Sequence, residues 1–132
     1  MLDDIYQNRA IVSRWIADDN VNAILITGGT GLTGRDRTPE AVRPLLDKEI
    51  AGFGELFHAV SYCEENKIST QQSRAFAGIA RDTFIFCLLG STGACRTAWD
   101  HLIKDQLDYR NRPCNLVEML PRFLETMRDM AE

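Results

Sequence analysis

The sequence predicts an α/β domain with a mostly parallel sheet and helices on both faces. Residues 21–26 and 83–89 are short, nearly continuous apolar runs, as expected of strands that are buried on both faces. Each run leads directly into a glycine-rich loop, at residues 28–31 and 90–93, and a helical pattern follows each loop. The order strand, loop, helix is typical of parallel sheets when it recurs along a chain. A length of 132 residues fits a single domain.

Two helices are predicted in the first half of the chain. Residues 5–17 have an amphipathic pattern, and either Asp3 or Asp4 can cap the start of this helix. A second helix is expected after the first glycine loop, with Thr38 as its N-cap and Pro39 in the first helical position. We expect that helix to extend to about residue 50.

The remaining elements follow from glycines and from apolar periodicity. Two glycines predict a turn over residues 51–55, and a helix follows over 55–66. Residues 69–80 are ambiguous and can hold a short helix and a strand. A helix is predicted over 94–107, and 116–132 is interpreted as a C-terminal helical extension of the same domain, with Pro121 as a kink or as its true start.

Composition excludes several classes of protein. The 15 basic and 19 acidic residues give a formal charge of −4, which argues against a nucleic-acid partner. No apolar stretch is long enough to span a bilayer, and the first residues do not resemble a signal peptide, so we expect a cytoplasmic protein without a membrane partner. The four cysteines form no C-x-x-C pair, and we expect them to be reduced and mostly buried.

The first glycine loop is a candidate anion site. Glycines adopt positive φ angles and let the backbone approach a ligand, and successive N–H groups can surround an anion. Thr30 and Thr33 add hydroxyl donors. A plain turn between strand and helix explains the glycines equally well. The loop lacks the Gly-Lys-Ser/Thr of a Walker loop and the G-x-G-x-x-G spacing of a dinucleotide site.

The longer sequence around this loop is more specific. Residues 27–41, Thr-Gly-Gly-Thr-Gly-Leu-Thr-Gly-Arg-Asp-Arg-Thr-Pro-Glu-Ala, closely resemble the signature of molybdenum-cofactor biosynthesis proteins of the MoaB and MogA type. The stretches at 51–55, 73–74 with 77–78, and 90–98 resemble three further motifs of that family, the last in its MoaB form. The resemblance covers residues 3 to 115.

The resemblance implies a fold and a function. The family fold is a three-layer α/β/α sandwich, usually trimeric and often hexameric in MoaB-type proteins. Its members bind molybdopterin, a pterin with a dithiolene group and a terminal phosphate. Some members transfer AMP from Mg-ATP to that phosphate, and related domains insert molybdate afterwards. A homo-oligomer that works with other molybdenum-cofactor biosynthesis proteins is therefore expected.

Site residues are transferred position by position from the resemblance. Asp36 matches an essential acidic residue, Asp3 stands where a second one is expected, and Glu55 matches the glutamate of the glycine-phenylalanine-glycine stretch; these three are the candidate catalytic residues. Asp36 and Asp3 are also the candidate Mg²⁺ ligands, since Mg²⁺ prefers one or two carboxylates together with phosphate oxygens. The candidate molybdopterin and phosphate contacts are Gly28, Gly29, Thr30, Gly31, Thr33, Thr38, Gly90 and Ser91.

Structural roles compete with these assignments. Asp36 can be a loop residue and Asp3 a helix cap, while Glu55 can complement a helix dipole. Three arginines near the loops are interpreted as solvated rather than phosphate-binding: Arg35, Arg37 and Arg96.

The chain departs from the family pattern at its start. Family members carry a strand, a helix and a further strand before the position of Asp3, and we expect this sequence to lack them. Either this sequence omits a native segment, which we favour, or the shorter chain folds with compensation. The sequence is therefore compatible with three functions: an Mg-ATP-dependent molybdopterin adenylyltransferase, a non-catalytic molybdopterin-binding protein, and an oligomeric partner-binding protein that has lost the molybdopterin site.

Overall fold

A computed structural model describes residues 4–65 and 68–120. Its strands are β1 (Ala23–Thr27), β2 (Lys48–Glu49), β3 (Phe76–Ala80) and β4 (Thr83–Leu88). Its α-helices are α1 (Ile5–Ala17), α2 (Thr38–Val42), α3 (Ala51–Glu65) and α4 (Thr92–Ala98). Short 3₁₀ turns span Arg43–Leu45, Ile68–Gln72 and Val117–Met119, and a π-helical turn, Trp99–Ile103, continues α4.

The four strands form one mixed sheet in the order β1-β4-β3-β2. β1 and β4 pair in parallel, whereas β3 is antiparallel to both of its neighbours. Three strands therefore run in the same direction, but only one of the three pairings is parallel. The prediction of a mostly parallel sheet is wrong at this point, because a two-residue turn at residues 81–82 joins β3 and β4 as a hairpin.

Helices cover both faces of the sheet, which confirms the three-layer α/β/α architecture. On one face, Val12 of α1 and Val42 of α2 pack against a buried cluster that includes Ile24, Ile26 and Ile85. The opposite face carries a larger aromatic cluster. Its members come from α3, β3, β4, α4 and the π-helical turn, and they include Phe53, Phe57, Phe84, Phe86, Ala98 and Ile103.

The helix predictions hold to different degrees. α1 has the expected bounds, and Asp4 is its cap, because the Asp4 carboxylate accepts hydrogen bonds from the backbone N–H groups of Tyr6 and Gln7 at 2.8 and 3.0 Å. The second helix ends at Val42 rather than near residue 50. A tight 3₁₀ turn that contains Pro44 follows it, and β2 then begins at Lys48. Proline supplies no N–H for helical hydrogen bonding, which accounts for the early end.

Two predicted boundaries shift toward the N-terminus. α3 begins at Ala51, so the predicted turn over 51–55 is the first part of this helix. Gly54 belongs there for a packing reason, since a Cβ would lie 2.9 Å from the carbonyl oxygen of Ala75. α4 begins at Thr92 with Ser91 as N-cap. The ambiguous stretch contains both a short helical turn and β3, as expected. Asp3 and most of the predicted C-terminal helix, from residue 121 onward, lie outside the described residues.

The described cysteines are free thiols, as expected, but only Cys87 is fully buried. Burial raises the pKa of the Cys87 thiol to about 12. Cys63 and Cys114 are exposed, so the expectation that most cysteines are buried is wrong for these two. Within residues 4–65 and 68–120, no helix is long and apolar enough to cross a membrane.

Candidate functional site

The two glycine loops meet at one edge of the sheet. β1 and β4 are parallel neighbours, with Thr27 opposite Leu88, so both loops leave the sheet at its carboxyl edge. The N–H of Gly28 donates to the carbonyl of Leu88 at 2.9 Å. A Cβ on Gly90 would lie 3.4 Å from the Cα of Gly28. The predicted convergence of residues 28–31 and 90–93 is therefore confirmed, and we call this edge the glycine rim.

The first loop has a backbone shape that requires glycine. Gly28 and Gly29 have φ angles of +95° and +71°, which side chains with a Cβ rarely adopt. Thr38 holds both residues, because its N–H donates to the Gly29 carbonyl at 3.0 Å and its hydroxyl donates to the Gly28 carbonyl at 2.9 Å. A Cβ on Gly29 would collide with that hydroxyl oxygen.

Two predicted ligand contacts are buried in this structure. Thr38 is 6% exposed, and its hydroxyl supports the loop from within. Thr30 is 1% exposed, and its hydroxyl has no hydrogen-bond partner among the residues that the structure describes. The backbone of Thr30 is engaged, since its carbonyl accepts from the N–H of Arg74 at 2.7 Å. Both threonines therefore shape the loop, and their side chains do not face solvent.

Asp36 closes the second half of the loop. One of its carboxylate oxygens accepts from the Thr33 N–H at 2.9 Å and from the Thr33 hydroxyl at 2.7 Å. A Cβ on Gly31 would lie 2.7 Å from the same oxygen, so the loop is compact here. The hydrogen bond from the Thr33 hydroxyl is the main cause that lowers the pKa of Asp36, and backbone N–H groups and the charge of Arg74 act in the same direction. Asp36 is therefore a carboxylate at neutral pH.

Arg74 is the site residue that was not singled out from the sequence. Its Nε donates to the Gly31 carbonyl at 2.9 Å, its Nη2 donates to the Asp36 carbonyl at 2.7 Å, and its Nη1 forms an ion pair with Glu40. The only sequence signal was the resemblance of residues 73–74 to a family motif. That resemblance does not indicate which groups the guanidinium contacts.

A shallow pocket of about 330 Å³ lies beside this loop. Its polar wall consists of Thr33, Asp36, Arg37, Glu40 and Arg74, and Ile5 and Leu32 supply an apolar side. The pocket thus combines an ionised carboxylate with cationic side chains and some apolar surface. Such a mixture suits a ligand that has both a charged end and a ring.

The structure places the other candidate residues in different surroundings, and Glu55 has no described contact with the glycine rim. Ser91 follows Gly90, and its hydroxyl oxygen caps α4 by accepting from the Ala94 N–H at 3.2 Å. Glu55 is exposed in the second turn of α3. This helix starts at the rim side, because β2 runs in the same direction as β4 and ends just before it. Arg37 donates from its Nε to the Gly34 carbonyl at 3.1 Å, within its own loop.

Carboxylates for a metal ion are sparse in this region. Asp36 is ionised, whereas the Glu40 carboxylate is paired with Arg74. The described part of the chain contains no group of three or more His, Cys, Asp or Glu side chains that could hold a metal ion. Mg²⁺ can nevertheless bind through one carboxylate when phosphate oxygens and waters complete its shell. Asp36 fits that arrangement.

The fold and the rim define a class of protein: an α/β ligand-binding domain whose site is formed by glycine loops at the carboxyl edge of the sheet. Residues 1–109 match the family model described as "Probable molybdopterin binding domain". The chain belongs to this family of molybdenum cofactor biosynthesis proteins, and it is of the MoaB and MogA type.

Similar proteins agree with this assignment. Molybdenum cofactor biosynthesis protein B of Escherichia coli strain K12 is 59% identical over 110 residues, which are 83% of this chain and 64% of that protein. The protein of the same name from Staphylococcus aureus strain MRSA252 is 50% identical over 98 residues, which are 74% of this chain and 58% of that protein. The chain thus spans less than two thirds of the length of these relatives.

Solved structures share the fold. A crystal structure of molybdenum cofactor biosynthesis protein B superposes with a TM-score of 0.76 at 44% identity, covering 80% of this chain and 65% of that one. The tungsten cofactor synthesizing protein MoaB from Pyrococcus furiosus superposes with a TM-score of 0.71 at 38% identity, covering 80% of this chain and 66% of that one.

Proposed function

We propose that the glycine rim binds molybdopterin and places its terminal phosphate beside Asp36. The single observation that carries this proposal is the close approach of Gly28 and Gly90, which brings two side-chain-free backbone segments together at one edge. Backbone approach of this kind suits a planar, anionic ligand, because amide groups can contact it without an intervening side chain. Membership of the family described as "Probable molybdopterin binding domain" supports molybdopterin as the ligand.

The adjacent pocket is suited to the phosphate end of such a ligand. Arg37 and Arg74 line it together with Asp36. An ionised carboxylate and a phosphate repel each other unless a cation lies between them. A bound Mg²⁺ would supply that positive charge, and Asp36 is the described residue that would hold it.

We further propose that the chain transfers AMP when Mg-ATP is present. In this reaction a phosphate oxygen of molybdopterin attacks the α-phosphorus of ATP, and the bond to the pyrophosphate leaving group breaks. The protein's own contribution is to hold the two anionic groups in line and to keep Asp36 ionised. A non-catalytic binding protein is the second candidate. It is favoured because the described pocket residues include two carboxylates, of which Glu40 is paired with Arg74 and Asp36 accepts hydrogen bonds from Thr33.

Isothermal calorimetry under anaerobic conditions tests the binding proposal. Wild-type protein is titrated with molybdopterin beside Gly90→Val, which places a branched side chain next to Gly28. We expect a drop in affinity of at least about tenfold for Gly90→Val, because its branched side chain would occupy the space beside Gly28 that the proposed ligand needs. If the wild type shows no heat of binding, or if both proteins bind molybdopterin with equal affinity, the result would count against the rim as the binding site.

The catalytic proposal needs a separate assay. Wild type, Asp36→Asn and Asp108→Asn are incubated with molybdopterin and Mg-ATP, and the adenylylated pterin is measured by chromatography. Asp108 is a matched control, since its carboxylate also accepts loop hydrogen bonds and has a pKa lowered to about 2 by its hydrogen bond with Arg110. Product is expected from the wild type and from Asp108→Asn, and not from Asp36→Asn. Binding without product in the wild type would favour the non-catalytic alternative.

A homo-oligomer is the expected form of the protein. Native mass spectrometry of a trimer or hexamer would give three or six times the subunit mass of 14.9 kDa. An oligomer that binds no molybdopterin would instead support a partner-binding role.

A further inference from the structure

We propose that Arg74 is a positioning residue of the site, whose guanidinium clamps the loop from Gly31 to Asp36 in its ligand-ready shape. The consequence for molybdopterin rests on the function proposed above. The effect on loop geometry does not, and the two can be measured separately.

The clamp joins the two ends of one turn. Arg74 Nε donates to the Gly31 carbonyl at 2.9 Å, and Nη2 donates to the Asp36 carbonyl at 2.7 Å. These two acceptors are separated by five residues of sequence, so one planar group fixes the width of the turn. Inside the turn, Thr33 donates to the Asp36 carboxylate.

Two further contacts hold the clamp itself in place. The Arg74 N–H donates to the Thr30 carbonyl at 2.7 Å, which ties the start of the loop to the segment before β3. Glu40, at the start of α2, pairs with the third guanidinium nitrogen. The Arg74 side chain is only 30% exposed, so water competes weakly for these bonds.

The arrangement depends on the shape of arginine and not only on its charge. Three acceptors within residues 31–40 contact three different nitrogens of Arg74. The guanidinium presents five N–H donors in a fixed planar fork, whereas lysine has one ammonium group at the end of a flexible stem. A lysine can therefore keep the charge near Asp36 but cannot bridge the Gly31 and Asp36 carbonyls together.

The clamp also explains how the Asp36 carboxylate keeps a fixed position in an exposed loop. If the turn widens, the Asp36 carboxylate separates from the Thr33 donors, and its position relative to the rim is no longer fixed. Catalytic and metal-binding groups lose much of their effect when they are displaced by about 1 Å. Arg74 thus acts through Asp36 and need not contact the ligand.

Three variants test this role: Arg74→Lys, Arg74→Gln and the control Arg110→Gln, whose ion pair with Asp108 is exposed. Hydrogen exchange reports the loop, and a ¹³C NMR titration reports the Asp36 carboxyl group. In both Arg74 variants the amides of Thr33 and Asp36 should exchange about tenfold faster or more, because hydrogen bonds to a charged group typically contribute at least that factor. The midpoint of the Asp36 titration should move to higher pH. Arg110→Gln should match the wild type in both measurements.

Molybdopterin affinity is then compared among the same proteins. We expect a loss of about tenfold or more in Arg74→Gln and no rescue in Arg74→Lys. Full rescue by lysine, or unchanged exchange of the loop amides in both variants, would overturn the proposal. If the wild type itself binds no molybdopterin, the proposed function fails, but the exchange and titration results still decide the role of Arg74.

One further variant covers the case in which the Arg74 variants do not fold. Glu40→Gln leaves the arginine in place and weakens one anchor of its guanidinium. Faster exchange at Thr33 and Asp36 is expected in this variant, whereas exchange identical to that of the wild type would refute the clamp.

Discussion

Replacing Gly29 by alanine should destabilise the protein far more than the same change at Gly34, five residues later in the loop. Gly29 has a φ of +71°, where an alanine costs about 1 to 2 kcal/mol. The new Cβ would also collide with the Thr38 hydroxyl, and overpacking of this kind costs about 1 to 3 kcal/mol. A Cβ at Gly34 meets nothing within 4 Å. We therefore expect a loss in the free energy of unfolding of about 2 to 5 kcal/mol for Gly29→Ala and about 0.5 kcal/mol or less for Gly34→Ala.

Urea unfolding at one fixed protein concentration measures both changes, and a double-mutant cycle with Thr38→Ala identifies the cause. Thr38→Ala alone loses a hydrogen bond to the Gly28 carbonyl, at about 0.5 to 1.5 kcal/mol. In the double variant the collision with the hydroxyl oxygen is gone. Its loss in the free energy of unfolding should therefore be smaller, by about 1 to 3 kcal/mol, than the sum of the losses in the two single variants. Strict additivity, or equal effects of Gly29→Ala and Gly34→Ala, would refute the described packing of the loop.

Three further predictions concern pH, packing and cysteine reactivity. The pKa of Asp36 is lowered mainly by the Thr33 hydroxyl, and the pKa of Glu40 is lowered mainly by Arg74. Both carboxylates therefore stabilise the loop when the pH is above their ordinary pKa values of 3.8 and 4.5. This stabilisation is lost as the pH falls through the lowered values, and hydrogen-exchange protection of residues 31–36 should fall below about pH 4; protection that persists at pH 2 would contradict it. Phe57→Ala removes a side chain that is 2% exposed and should cost about 3 to 5 kcal/mol in urea unfolding, whereas a loss under about 1 kcal/mol would contradict the described core. Ellman's reagent should modify the exposed Cys63 and Cys114 rapidly in the folded protein and reach Cys87 only on unfolding; fast labelling of Cys87 would contradict its burial.

The parts of the fold that were predicted correctly depend on local pattern. β1 and β4 are visible as apolar runs that end in glycine loops, and their parallel pairing follows from the repeated order of strand, loop and helix. β4 is buried on both faces as predicted, whereas β1 is an edge strand whose alternate residues, including Leu25, are exposed, so the prediction of burial on both faces is wrong for β1. The start of α1 follows from its aspartate cap. The early end of α2 also had a local signal in Pro44, but the apolar residues beyond it favoured a longer helix.

The parts that were missed depend on contacts between distant segments. The antiparallel position of β3, between β4 and β2, sets the order of the sheet and has no local signature. The role of Arg74 requires acceptors that lie 34 to 43 residues away in sequence. The inward orientation of Thr38 likewise becomes evident only when the loop and α2 are seen together.

The central claim is that the two glycine loops form a single ligand site, and an NMR titration with molybdopterin under anaerobic conditions tests it most directly. Amide resonances of residues 28–31 and of 90 and 91 should shift together and saturate at the same ligand concentration. The amide resonances of Thr33 and Asp36 should also shift in this titration. Shifts confined to one loop would contradict the claim. So would shifts that cluster at a second pocket, which is lined by Phe53, Phe86, His101 and Gln106 on the opposite face of the sheet from α1.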